Sequence, residues 1–208
     1  MKQRWALVLV GAWIAGSIWT SVVATQNFYT IDRLLAASPN ASFSSVVQRL
    51  GQPEARDLLR YLSSELNRLY FRIWNVAQIG IAALTLWLIA GRTPRDVRLG
   101  RARTLVVGML SVVVLMLVYL TPQIVSIGRS LDFVPRDPAP PQLRTFWILH
   151  AAYTSLEMLK LAAAFVVAAS IANVADHGPA EAGPHTRIDS SSSLRRSNDR
   201  EAPGGSIV

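Results

Sequence analysis

The sequence predicts an all-α protein, a four-helix transmembrane bundle with a helical extracytoplasmic segment between helices 1 and 2. Hydrophobic residues make up 51% of the 208-residue chain, and they are gathered into blocks instead of being spread evenly. Four blocks reach the roughly 20 residues that an α-helix needs to cross a bilayer. A short stretch rich in arginine separates two of these blocks, which is typical of a cytoplasmic loop in a membrane protein.

The net charge and the residue types exclude several classes of protein. A net charge of +8 would suggest a nucleic-acid partner for a soluble domain, but many arginines here border apolar blocks, so no nucleic acid is expected. The chain contains no cysteine, which excludes disulfides, thiolate metal sites and iron–sulfur clusters. It lacks GxSxG, HExxH, P-loop and GxGxxG patterns, so no conventional enzyme chemistry is predicted.

The first predicted span covers residues 5–24, which contain no charged side chain and follow the basic Lys2 and Arg4. A secretory signal peptide, cleaved after Ala24, is the alternative. The apolar run is longer than the roughly 7–15 residues of a signal peptide's apolar region, and it contains three tryptophans. We therefore expect this segment to remain in the protein as a transmembrane helix.

Residues 26–72 form a long polar connection with helical patterning. A Ser-Pro-Asn break at residues 38–40 precedes a short amphipathic pattern that ends at Gly51. Pro53 suits the first turn of the next helix. Apolar residues then keep helical spacing into the second span, residues 73–90, so one uninterrupted helix is expected.

A basic loop, residues 91–103, sets the expected orientation. It contains five arginines against the single acid Asp96, and such an excess marks cytoplasmic loops. The third span covers residues 104–121 and the fourth covers residues 146–172, joined by a proline-rich outer loop of about residues 123–144. An even number of spans then places both termini in the cytoplasm. The arginines that determine this topology are Arg92, Arg95, Arg98, Arg101 and Arg103.

The membrane domain is predicted to occupy residues 1–175, and residues 176–208 are predicted to form a disordered cytoplasmic tail. The tail is rich in Gly, Pro, Ser, Asp and Arg and has almost nothing apolar to bury. His177 and His185 lie there as two isolated imidazoles, and their spacing predicts no metal site.

The fourth span contains the polar residues that point most directly to a site. Its polar residues recur at helical spacing with Tyr153, so one polar stripe is expected to face the bundle interior, opposite two amides of the second span. In one interpretation Glu157 and Lys160 form a structural ion pair, and His150 is a hydrogen-bonded group near the outer interface. In the other, His150 and Glu157 belong to a proton or ion path or a small-ligand site. The candidate residues are His150, Thr154, Glu157, Lys160, Asn75 and Gln78.

A haem site is a third interpretation, with His150 as one axial ligand. The second ligand would come from Met109, Met116 or Met158, or from a second copy of the chain. No motif in the sequence supports haem, so no cofactor and no metal are predicted.

Three segments of the chain resemble one family of membrane proteins. The segments are VVATQNFYTIDRLL, ELNRLYFRIWNVAQ and LRTFWILHAAYTSLEMLKL. Over residues 5–172 the chain is similar to a four-helix bacterial membrane family with a DUF4149-type domain, which itself looks like a relative of eukaryotic transmembrane protein 205. The resemblance implies the four-span architecture and a bacterial inner-membrane location, and it matches His150 to the family's fourth-helix histidine. It implies no reaction, because the family has no agreed activity.

These features predict a non-enzymatic, polytopic integral membrane protein. Small-solute or ion handling, or maintenance of the cell envelope, is the leading functional prediction. The alternative is a haem- or metal-linked redox protein that uses His150. The expected partners are the lipid bilayer and either a second copy of the chain or another membrane protein.

Overall fold

Four long helices dominate the structure, and together they make the all-α bundle that the sequence predicts. The computed structural model describes residues 1–90, 97–135 and 137–176. In chain order the elements are α1 (Lys2–Ala37), α2 (Ala41–Leu50), α3 (Gln52–Ala90), α4 (Val97–Leu115), a π-helical segment (Met116–Leu120), α5 (Thr121–Ser130) and α6 (Gln142–Asp176).

Four helical stretches are long and apolar enough to cross a membrane, so the protein is a multi-pass membrane protein. With 36 residues in α1 and 39 in α3, these helices are about 54 Å and 58 Å long at ~1.5 Å per residue. The hydrocarbon core of a bilayer is only ~30 Å thick. Both helices therefore continue well beyond their apolar spans. The four stretches are Lys2–Ala37, Gln52–Ala90, Val97–Ser130 and Gln142–Asn173.

The turn between α1 and α3 is built at the break that the sequence predicts. Ser38 adopts a left-handed conformation with a φ of 43° where α1 ends. Asn40 Oδ1 then accepts a hydrogen bond of 2.8 Å from the Phe43 N–H and caps α2. Gly51, with a φ of 92°, ends α2 in a conformation that residues with a Cβ rarely adopt. Within the predicted outer segment 26–72 only the short α2 is a separate helix, and the rest belongs to α1 and α3.

The third transmembrane helix is longer than the sequence predicts. It begins at Val97 instead of Thr104 and continues through α5 to Ser130, although the predicted span ends before Pro122. A proline inside a helix has no N–H to donate and clashes with the carbonyl group four residues earlier. The π-helical segment Met116–Leu120 ends two residues before Pro122 and widens the helix at this point. We attribute the continuation of the helix past Pro122 to this local widening.

The loop before α6 is correspondingly shorter than predicted. α6 begins at Gln142, so the connection is reduced to residues 131–141. The rings of Tyr61 in α3 and Phe133 in this loop contact each other, with their centroids 5.4 Å apart. The contact places the loop at the same end of the bundle as α2. We call this the hairpin end, and we call the opposite end, where α1 begins and α3 stops, the terminal end.

Each helix of the bundle packs against two neighbours, so that α1 and α4 each contact α3 and α6. α1 and α3 run antiparallel, since Trp13 hydrogen-bonds to Gln78 and the Ala24 carbonyl oxygen accepts a bond from Asn67 nearer the hairpin end. Two apolar clusters fill the interior. Along α6, Glu157 and Lys160 fall between the residues of these clusters. The larger cluster, toward the terminal end, includes Ala6, Val10, Ala82, Val106, Met109, Val113, Ala164, Val167 and Ile171, and the smaller contains Met116, Leu120 and Tyr153.

A close contact between α1 and α3 depends on Gly16. A Cβ atom at residue 16 would lie 2.1 Å from the Cη2 atom of Trp74, far inside van der Waals contact. The Trp74 ring therefore rests directly on the backbone of α1. Small residues allow transmembrane helices to approach in this way. Gly11 lies on the same helix, but no neighbouring atom lies within 4 Å of its Cβ position.

Relative to Gly11→Ala, we expect Gly16→Ala to destabilise the protein by about 1–3 kcal/mol, because the methyl group added at residue 16 must displace the Trp74 ring. Gly11→Ala is the matched control, since it adds the same methyl group to open space and improves helix propensity by up to about 1 kcal/mol. Thermal unfolding midpoints in detergent should therefore fall for the first variant and hold or rise for the second. Equal midpoints for the two variants would contradict the proposed contact.

Candidate intramembrane polar site

Side chains from four helical elements form one hydrogen-bonded group in the middle of the bundle, which we call the central polar network. It lies between the two apolar clusters and includes an acid, a base and two amides. The network joins α1, α3, α5 and α6. Its members are Trp13, Asn75, Gln78, Thr121, Tyr153, Glu157 and Lys160.

The ammonium group of Lys160 is the charged centre of the network. Its Nζ donates to Glu157 Oε1 at 2.9 Å and to Gln78 Oε1 at 2.6 Å. Lys160 is 2% exposed and Glu157 is 9% exposed, so both charges are held away from solvent. The pair forms within one helix, because residues three apart lie on the same face. The expected Glu157–Lys160 ion pair is therefore present, and the site as a whole is electrically neutral.

Gln78 connects the ion pair to two other helices. Its Oε1 accepts a second hydrogen bond, of 2.8 Å, from the indole Nε1 of Trp13 in α1. Its Nε2 donates to Asn75 Oδ1 at 3.3 Å within α3. Both ends of the amide are thus bonded, which fixes its orientation. An amide buried in this way would be costly without partners, so the position of Gln78 depends on both Trp13 and Lys160.

Asn75 extends the network toward the hairpin end. Its Oδ1 also accepts from the Tyr153 hydroxyl at 3.4 Å, and its Nδ2 donates to Thr121 Oγ1 at 3.4 Å. Thr121 is the first residue of α5 and follows the π-helical segment directly. The irregular part of the third transmembrane helix therefore lies beside the polar network. Single π-helical turns are frequent at functional sites.

The prediction that His150 and Thr154 face the bundle interior is wrong, because both are exposed on the outer side of α6. His150 packs against aromatic neighbours of its own helix, with its ring centroid 5.8 Å from that of Phe146 and 6.0 Å from that of Trp147. The Thr154 hydroxyl donates to the His150 carbonyl oxygen at 3.0 Å. The predicted polar stripe thus divides into an inner part, with Glu157 and Lys160, and an outer part.

The methionines predicted as possible haem ligands also lie partly inside the bundle and partly on its surface. Met109 and Met116 are buried in the apolar clusters, whereas His150 lies on the outer face of α6. Met158 lines the same shallow surface groove as His150. It lies eight residues further along the helix, about 12 Å at ~1.5 Å per residue. The haem-linked alternative stays a prediction, and within one chain this geometry gives it no second ligand from the core.

The sequence interpretation did not include Trp13 and Thr121 in the site. The position of Trp13 could have indicated its role, because tryptophans of membrane proteins concentrate at the interfaces and this one lies in the middle of its span. Nothing in the sequence indicated a role for Thr121, since the predicted span ended there. A further buried polar group, Thr85 Oγ1, has no hydrogen-bond partner among the described residues. It lies two turns from Gln78 on the same face of α3.

Arg92 and Arg95 lie outside the described residues, as do His177, His185 and the predicted tail from residue 177 onward. The remaining topology determinants are exposed in the first turns of α4, at the terminal end of the bundle. They are Arg98, Arg101 and Arg103.

Comparison of the chain with protein-family models, curated proteins and solved structures gives no match in any of the three. The resemblance to the family with a DUF4149-type domain therefore stays a prediction. The four long apolar helices agree with its four-span architecture.

We expect Glu157→Gln and Lys160→Met each to destabilise the protein by about 3 kcal/mol, because each leaves one buried charge without its partner. The double variant removes both charges and should return to within about 1 kcal/mol of the parent. Unfolding in detergent, followed by helical circular dichroism, measures all four proteins. If the two single effects simply add in the double variant, the two residues are not coupled.

Proposed function

We propose that the protein is a non-enzymatic integral membrane protein that handles protons and small monovalent cations at the Glu157–Lys160 pair. The supporting observation is that these are the only Asp, Glu, Lys or Arg residues within the four predicted spans, and that they bond to each other in the bundle interior. Ionisable residues at membrane depth are expensive and are commonly tied to ion or proton pathways. The alternative is a purely structural ion pair, and measurement of ion flux distinguishes the two roles.

The chemistry follows from the surroundings of Lys160 Nζ. Two oxygen atoms, Gln78 Oε1 and Glu157 Oε1, lie 2.6 Å and 2.9 Å from it. Oxygen acceptors of this kind are also the ligands that hard cations prefer. The Lys160 ammonium thus occupies a place that a free monovalent cation could take if the lysine were neutral or displaced.

Charge balance couples the binding of a cation to the loss of the proton from Lys160. The site is neutral while Lys160 is protonated and Glu157 is ionised. Adding a cation to it would leave a net positive charge in a medium of low dielectric constant, at a cost of several kcal/mol. Loss of the Lys160 proton restores neutrality. We therefore infer an exchange in which a monovalent cation replaces the proton of Lys160 while Glu157 stays ionised throughout.

Flux measurements in proteoliposomes test this exchange. With a Na⁺ or K⁺ gradient imposed, the parent should move protons against the cation, as reported by a pH-sensitive dye trapped inside. Glu157→Gln should lower the flux roughly tenfold or more, because it removes the only carboxylate within the four spans predicted from the sequence. Lys160→Met should uncouple cation binding from proton release.

Two controls complete the design. Thr154→Val changes a polar residue on the outer face of the same helix and should leave the flux unchanged. The double variant Glu157→Gln, Lys160→Met lacks both charges but is expected to be folded, so it shows the flux of a stable protein without the ion pair. No flux from the parent, or full flux from Glu157→Gln, would overturn the proposal and leave the pair with a structural role.

We further propose that the protein lies in a bacterial inner membrane with both termini in the cytoplasm. The support comes from the arginine-rich stretch of residues 91–103 and from the family resemblance. A fluorescent reporter fused after Arg98 should then fold in the cytoplasm. A phosphatase reporter inserted near Ser45, in α2, should be active in the periplasm. The opposite pattern would reverse the orientation.

A further inference from the structure

We propose that the bundle interior holds water at Thr85 and Gln3, and that this water opens to the terminal end. Two buried atoms there, Thr85 Oγ1 and Gln3 Nε2, have no hydrogen-bond partner among the described residues. A third such atom, Trp74 Nε1, lies nearer the hairpin end, in the ring that rests on Gly16. A polar group buried without a partner is costly, so each atom on the terminal side needs a small polar ligand.

Thr85 differs from other hydroxyl side chains of the long helices. A Ser or Thr in a helix commonly satisfies its hydroxyl by donating to the carbonyl oxygen four residues earlier. Thr85 makes no such bond, although it is 0% exposed and has the greatest need of one. Its hydroxyl is therefore directed into the bundle and not back onto α3. The side chains that do bond to their own helix in this way include Ser21, Thr25, Thr104, Ser111, Thr154 and Ser170.

Gln3 faces the same interior from α1. Helical spacing places it on one side of α1 with Ala6 and Val10, which are both buried in the larger apolar cluster. An amide that enters this cluster interrupts it, as Thr85 does from α3. The two unsatisfied polar groups therefore belong to neighbouring helices that pack against each other.

The heights of Gln3 and Thr85 in the bundle agree. The Nζ atom of Lys2 lies over the ring of Trp87, 5.6 Å from its centroid. Gln3 follows the first of these residues directly, and Thr85 precedes the second by two positions. Gln3 and Thr85 are thus within about one helical turn, ~5.4 Å, of each other along the bundle axis.

Water is the ligand whose chemistry suits both atoms. A buried water typically makes two to four hydrogen bonds, and it can donate as well as accept. The Thr85 hydroxyl also donates and accepts, whereas the Gln3 amide nitrogen only donates. A metal ion would meet that N–H instead of an oxygen ligand, and an anion would bring an unpaired charge into the core.

Thr85 divides the distance between the ion pair and the terminal end. It lies seven residues beyond Gln78 along α3, which is about 10 Å at ~1.5 Å per residue. The predicted span ends at Ala90, about 8 Å further on. One turn from the ion pair in this direction the buried side chains of α3 and α6 are small, namely Ala82 and Ala164. Water at Thr85 is therefore separated from the ion pair by a short stretch only.

The hairpin side of the ion pair is closed by groups that are bonded to one another. The guanidinium group of Arg68 donates to Glu65 and, at 3.1 Å, to Asp132, and its side chain is 14% exposed. A Cβ atom at Gly128 would lie 3.3 Å from Arg68 Nη2 and 3.5 Å from the ring of Phe146. These groups fill the space between α3, α5 and α6, which is why we assign the opening to the terminal end.

This water has a consequence for the exchange at the ion pair, and that step rests on the proposed function. The proton that leaves Lys160 passes to the water and from it to the solution at the terminal end. The incoming cation replaces the lost charge, so the site stays neutral. Thr85 and Gln3 then act as positioning residues that hold the water and do not themselves exchange the proton.

Labelling of single cysteines tests the water site without any flux measurement, because the chain contains no native cysteine. N-ethylmaleimide reacts with the ionised thiol, which forms in contact with water and not in an apolar core. In native membranes Thr85→Cys should react roughly tenfold or more faster than Val167→Cys. Val167 is 1% exposed and lies seven residues beyond Lys160 on α6, so it is equally buried at the same height.

Two further variants locate the opening. Leu120→Cys, in the smaller apolar cluster on the hairpin side, should react as slowly as Val167→Cys. Adding Gln3→Leu to Thr85→Cys removes the second polar group and should slow the labelling several-fold. Equal labelling at residues 85 and 167 would overturn the water site. Fast labelling at residue 120 would place the opening at the hairpin end and overturn the proposal as well.

The route of the proton is tested by a pair of substitutions at Thr85. Thr85→Val replaces the hydroxyl with a methyl group of similar size and should lower the proteoliposome flux roughly tenfold, whereas Thr85→Ser should restore most of it. Full flux in Thr85→Val would overturn the route. A higher unfolding midpoint for Thr85→Val would mean that the hydroxyl binds nothing, and it would overturn the water site. Absence of flux in the parent would overturn the proposed exchange alone, since cysteine labelling still decides whether the water is there.

Discussion

A charge inside a bilayer has no water to stabilise it, and the middle of this bundle is arranged around that constraint. Lys160 finds an anion on its own helix and an amide oxygen on α3, while the amide in turn is held by an indole from α1. Three helices are thereby fixed at one level. The apolar clusters on either side give the pair surroundings of low polarity, in which an unpaired charge would be costly.

The same level of the bundle contains the irregular part of the third transmembrane helix. A proline within an apolar helix would normally bend or end it, yet the π-helical segment lets the helix continue into α5. Thr121 then reaches Asn75 and closes the network on that side. The irregular backbone and the buried polar side chains thus lie at the same level of the bundle. Both features are common at ligand-binding sites and ion pathways of membrane proteins.

α3 is the helix that connects the charged pair to the rest of the bundle. Its inner face is polar, and Gln78 on that face bonds to both Lys160 and Trp13. Its outer face carries exposed apolar side chains along much of its length.

Sequence alone determined the number of spans, the break at Ser38, the unbroken α3 and the Glu157–Lys160 pair, because each depends on local spacing, composition or chain geometry. It did not predict that the third transmembrane helix continues past Pro122 to Ser130, since proline usually stops a helix and the compensating π-helical segment has no local signature. It also placed His150 with the inner residues. Helical spacing shows that the polar residues of α6 lie on one broad side of the helix. It does not show which part of that side packs against the neighbouring helices. Tertiary packing made that choice, because Tyr153 and Lys160 reach the amides of α3 whereas His150 turns to the aromatic rings of its own helix.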